Sequence, residues 1–71
     1  MDAESLLAAI VFASEEETKI GAPGYVRAPV EVEHVVQQLQ DDGLVERWSE
    51  DTDFVKPTER GRAQVGAGRM Q

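Results

Sequence analysis

The stretch Val35-Val36-Gln37-Gln38-Leu39-Gln40-Asp41-Asp42-Gly43-Leu44-Val45-Glu46-Arg47 decides how this chain is read. With Val32, the apolar residues Val35, Val36 and Leu39 recur at i, i+3, i+4 and i+7, which puts them on one face of an α-helix. Pro29 suits the first helical position, where a missing N–H costs nothing, so the helix is expected to start near it. Gly43 stands where helices commonly end in the left-handed conformation, and Leu44 is placed to pack back on the last turn. Beyond it, Leu44 to Trp48 reads as a strand.

Outward from this core the pattern continues in both directions. Ser49 to Asp53 is a turn, and Phe54-Val55-Lys56 is a returning strand stopped by Pro57, which together predict a hairpin. Thr58 can cap a last helix of roughly Glu59 to Val65. Gly66 and Gly68 predict a loose C-terminal tail from about residue 66. Towards the N-terminus, Asp2 can cap a helix from about Ala3 to Glu17. Leu6, Leu7, Ile10 and Val11 form its apolar stripe, broadened by Ala8, Ala9 and Phe12. Glu15, Glu16 and Glu17 sit at the negative end of that helix, which predicts fraying or neutralisation by a partner. Between the two helices, Thr18 to Ala28 holds Gly21, Pro23 and Gly24 and reads as a loop or one irregular turn. Within it, Tyr25 and Val26 are either a short strand or a plug for the core.

The order helix, loop, helix, glycine, hairpin, capped helix resembles the winged-helix family of bacterial and archaeal transcription regulators. The run from Val35 to Arg47 looks like the end of the family's recognition helix followed by the first wing strand. Phe54-Val55-Lys56-Pro57-Thr58-Glu59-Arg60-Gly61-Arg62-Ala63 looks like the second wing strand entering the last helix. The resemblance implies an α+β fold: one small winged-helix domain over residues 1–71, with about three helices and a two-stranded β-hairpin wing. The family's short second helix has no clear counterpart, because Thr18 to Ala28 is rich in glycine and proline.

Composition narrows the function. A chain of 71 residues permits one domain. It contains no cysteine, which excludes disulfides and thiolate metal sites. Its longest apolar run, Leu6 to Ala13, is far short of the roughly 20 residues that span a bilayer. Asp2 and Glu4 precede that run where a secretory signal carries bases, so a cytoplasmic location and no membrane partner are expected. No nucleophile is paired with a base. Gly21-Ala22-Pro23-Gly24 lacks the lysine and hydroxyl residue of a phosphate loop, and so small a chain has little room for a substrate cavity. The expectation is a protein that is not an enzyme and needs no cofactor. His34 is the only histidine and reads as a surface residue; a metal site would need several ligands converging from separate segments.

Charge then bears on the resemblance. The net charge is −7, from 14 acids and 7 bases. From Pro29 to Phe54 the acids are Glu31, Glu33, Asp41, Asp42, Glu46, Glu50, Asp51 and Asp53, against Arg47 alone. The remaining acids and bases cancel, so the whole net charge falls on the recognition helix and wing. The outward residues of that helix would be Glu31, Glu33, His34, Gln37, Gln38, Asp41 and Asp42, with no arginine or lysine among them. Family members lay this helix in the major groove, and phosphate contacts supply most non-specific affinity. Duplex DNA is therefore not expected on this face, although Gln37 and Gln38 are residues that read adenine.

Three readings follow. The first is a non-catalytic module that binds a protein with a basic, nucleic-acid-binding surface, its carboxylates imitating nucleic acid as small inhibitors do. Its contact residues would be Glu31, Glu33, Gln37, Gln38, Asp41, Asp42, Trp48, Glu50, Asp51 and Asp53, and a second copy of the chain is a further candidate partner. The second is a DNA-binding transcription regulator. The third is an accessory or assembly domain whose acidity is a solvated surface or a salt adaptation. Trp48 and Tyr25 are candidate interface anchors, or they cover the hairpin and close the core beneath the loop, respectively.

Overall fold

A computed structural model describes residues 2–49 and 52–69. Helix α1 spans Ala3–Lys19, strand β1 Val26–Arg27, a 3-10 turn Val30–Val32, helix α2 Glu33–Asp41, strand β2 Val45–Arg47, strand β3 Phe54–Pro57 and helix α3 Glu59–Arg69. The three strands form one antiparallel sheet in the order β1-β3-β2. This α+β arrangement of three helices and a small sheet is consistent with a small winged-helix-like domain.

Helix α1 starts where the sequence places it. The Asp2 carboxylate accepts from the Ser5 N–H at 2.8 Å, satisfying one of the first-turn donors that have no partner inside the helix. Leu6, Leu7, Ile10 and Val11 are buried as expected, and Ser14 continues their stripe. Phe12 and Ala9, read from the sequence as part of it, are instead exposed. The acid run does not fray. The helix passes through Glu15, Glu16 and Glu17 to Lys19, whose Nζ lies 3.2 Å from Glu16, one turn back. The Thr18 hydroxyl donates to the Glu15 carbonyl at 2.8 Å. The helix closes when the Ala22 N–H donates to the Glu17 carbonyl and the Gly21 N–H to that of Thr18, which pairs carbonyls that would otherwise be orphaned.

The stretch between α1 and the 3-10 turn holds β1 and no helix. None of residues 20–28 is helical. Val26 lies opposite Val55 and Arg27 opposite Phe54, so the hairpin gains a third strand that the sequence reading left as an option. A two-residue strand has no periodicity of its own and exists only through its ladder. Helix α2 begins four residues after Pro29, which caps the 3-10 turn from outside.

The core lies between α1, α2 and the inner face of the sheet. Val35, Val36 and Leu39 of α2 meet Leu6, Leu7, Ile10 and Val11 of α1, closed by Leu44, Val45 and Val55. Gly43 ends α2 at φ +75°, a conformation that glycine adopts without a steric penalty. The Leu44 N–H then donates to the Leu39 carbonyl at 2.9 Å and turns the Leu44 side chain inward. The last helix is longer than expected. It runs through Gly66 to Arg69, four residues past the predicted end at Val65.

Candidate functional site

Strand parity sorts the wing residues. In a strand, successive side chains point to opposite faces of the sheet. Val26, Val45, Val55 and Pro57 lie on the inner face, and Arg47 lies with them, because it pairs in register with Val55. Tyr25, Arg27, Glu46, Trp48, Phe54 and Lys56 therefore share the outer face.

Arg47 is the only base between Pro29 and Phe54, and it is turned inward. Its side chain is 11% exposed. The guanidinium grips Glu33 with both ends, Nη2 to Oε1 at 2.8 Å and Nη1 to Oε2 at 3.4 Å. It also donates to Gln40 Oε1 at 3.3 Å and to the Thr52 carbonyl at 3.1 Å. A planar fork meeting a carboxylate in this way is among the stronger polar contacts. Here it ties α2 to the wing and commits four of its five N–H donors within the fold.

The other predicted contact residues are divided. Glu31, Gln37, Gln38, Asp41 and Asp42 are exposed on the 3-10 turn and the solvent side of α2. Gln37 donates to Asp41 at 3.1 Å. Glu33 is tied to Arg47 and is not an outward ligand. Asp53 faces Arg27 at 3.8 Å, and Glu31 lines the same shallow hollow with them. Glu50 and Asp51 lie outside the described residues. His34 is exposed, and its imidazole makes no hydrogen bond among the described residues.

The folded charge pattern is milder than the linear count. Strand β1 carries Arg27 to Asp53, and β3 places Lys56 3.1 Å from Glu46. Two bases from outside the acidic segment are thereby folded into it. Among the described residues, six acids then face three bases, a local charge of −3 where Arg47 alone would leave −5. Arg60 also brings its guanidinium near the C-terminal end of α2, 3.8 Å from where a β-carbon on Gly43 would sit. A cation is favourable there against the helix dipole. Among the described residues between Pro29 and Phe54, Glu31, Asp41 and Asp42 are the carboxylates that form no ion pair.

Trp48 covers the hairpin, but Tyr25 does not close the core as the sequence reading allowed. The Tyr25 ring stacks on Trp48 at 5.6 Å between centroids, and Phe54 meets Trp48 edge-on at 6.3 Å. Lys56 Nζ lies 5.1 Å from the Tyr25 centroid. Trp48 remains 65% exposed and Phe54 41%. Sequence reasoning named Trp48 and Tyr25 as candidate anchors but missed that they meet each other and Phe54 on one face. The signal was present as alternation, with an aromatic residue two positions from a charged one on each strand.

No family model, curated protein or solved structure matches the chain. Among the described residues, no group of three histidine, aspartate or glutamate side chains lies so as to hold a metal ion, and no helix is long and apolar enough to cross a membrane.

Proposed function

We propose that this chain is an atypical acidic member of the winged-helix family, a non-catalytic module that binds a basic protein through the solvent side of α2. The observation that carries this reading is the inward turn of Arg47. The only lysine or arginine between Pro29 and Phe54 is spent on Glu33, Gln40 and Thr52. The exposed side of α2 keeps Glu31, Asp41 and Asp42, with Gln37 and Gln38 between them. A phosphate backbone approaching that side meets Glu31, Asp41 and Asp42, with Arg60 as a cation only at the C-terminal end of the helix, whereas a basic groove built for phosphate meets its complement. In this form the module competes with nucleic acid for its partner.

The test uses two measurements. In a mobility-shift assay at low ionic strength, the protein is expected to leave a short DNA duplex unshifted. In binding assays against basic nucleic-acid-binding proteins, the triple variant E31K/D41K/D42K is expected to lose whatever the wild-type chain retains. Glu33 is left alone because its replacement breaks the contact with Arg47. Salt-sensitive retention of the duplex at physiological ionic strength would restore the transcription-regulator reading in its place.

A further inference from the structure

We infer that the outer face of the sheet is a docking surface for an arginine-bearing segment of the partner, with a guanidinium stacked on the indole of Trp48. The inference rests on the reading of this chain as an acidic module with a basic partner, and it names the chemistry that partner presents. Tyr25 covers one side of the indole, Phe54 stands against it edge-on, and the rest is open to solvent. The π faces of such rings are negative and attract cations. The fold already uses this surface in that way, since the Lys56 ammonium sits over the Tyr25 ring.

Two other occupants are disfavoured by charge and by area. A second copy would bring two chains of −7 together. Three partly exposed rings offer roughly 400 Å² per copy at most, about 800 Å² for the pair, which falls short of the ~1,000 Å² total that a specific interface is expected to clear. Single-stranded nucleic acid stacks on aromatic platforms, but it also needs free cations along its backbone. Arg27 and Lys56, the bases of this face, are held by Asp53 and Glu46. An incoming guanidinium needs no such cation. It meets an aromatic face and the field of a strongly acidic molecule.

Trp48 is the only tryptophan in the chain, so its emission reports on this surface alone. The probes are an oligoarginine peptide and an oligolysine peptide of equal length at physiological ionic strength. Oligoarginine is expected to change Trp48 emission saturably and to bind more tightly than oligolysine, because the planar guanidinium stacks and the ammonium does not. By calorimetry, W48A is expected to weaken oligoarginine binding about fivefold or more, with W48F in between. Unchanged emission, or equal binding by W48A, overturns the inference. So does quenching by a single-stranded oligonucleotide in place of the peptide, or self-association that W48A abolishes. The variant E31K/D41K/D42K separates this inference from the reading it rests on. If it loses oligoarginine while W48A keeps it, the α2 carboxylates act alone and the aromatic surface is not the site. If W48A loses the peptide while the triple variant keeps it, the sheet face is the site and the α2 reading fails.

Discussion

The Thr58 hydroxyl donates to the carbonyl of Gly43 at 2.7 Å, across fifteen residues of chain. The same oxygen accepts from the Gly61 N–H at 3.1 Å, and the Thr58 N–H donates to the Leu44 carbonyl at 3.0 Å. One residue therefore caps the start of α3 and ties it to the end of α2. This explains physically why a glycine-leucine helix stop and a Thr-x-x-Gly helix start occur together. T58V keeps the shape but loses both hydroxyl bonds, and is expected to lower stability by about 1–2 kcal/mol. T58S, which keeps the hydroxyl, is expected to cost less than about half of that. Urea denaturation of the two variants checks this.

Gly61 is fixed by closeness rather than by backbone angle. A β-carbon there would lie 2.1 Å from the Leu44 carbonyl oxygen, and backbone atoms cannot step aside cheaply. G61A is expected to cost more than about 2 kcal/mol, roughly 10 °C in Tm. Gly66 has nothing within 4 Å of the corresponding position. G66A in the same helix is expected to raise stability by about 0.5–1 kcal/mol through helix propensity. Thermal melts of the pair should move in opposite directions, and a loss in both would remove the packing explanation.

Arg47 is expected to act as the strut between α2 and the wing. R47A leaves Glu33 and Gln40 without their partner, at a cost of about 2 kcal/mol given that Glu33 is half exposed. R47K keeps the charge but loses the fork, and is expected to recover less than half of that. A double-mutant cycle with E33A should show coupling of about 1 kcal/mol or more. Coupling near zero would mean that the pair is ornamental to the fold.

Asp2 links the first helix to pH. Its hydrogen bonds with Ser5, first from the backbone N–H and then from the side chain, hold its carboxyl below the ordinary aspartate range. The folded value lies below the unfolded one, so the contribution is complete above the ordinary range and is lost as pH falls through the lowered value. The Ser5 amide is expected to exchange faster with solvent over that window. D2A should show fast Ser5 exchange at every pH, as followed by amide hydrogen exchange in NMR.

Much of the architecture was legible because it is specified locally. The stripe Leu6, Leu7, Ile10 and Val11, the stop at Gly43 and the caps by Asp2 and Thr58 each depend on residues within about one helical turn. Helical spacing and capping chemistry express those relations directly in the sequence. The exposed group Glu31, Gln37, Gln38, Asp41 and Asp42 followed from the same periodicity. The lengths of α1 and α3 did not. In α1, the helix continues past the acids into a last turn that holds the Lys19–Glu16 contact and the Thr18 hydroxyl bonds.

What only the tertiary structure decided was long-range pairing and its consequences for charge. Strand β1 is two residues long and has no pattern of its own. Once it pairs with β3, it sets Arg27 against Asp53 and exposes Tyr25 beside Trp48. The register of β2 against β3 turns Arg47 inward and Trp48 outward; a shift by one residue would exchange them. The sequence by itself determined which residues are helical, apolar or acidic. Register determined which of those acids stay uncompensated and which rings share a face, because only pairing between strands fixes the direction in which each side chain points.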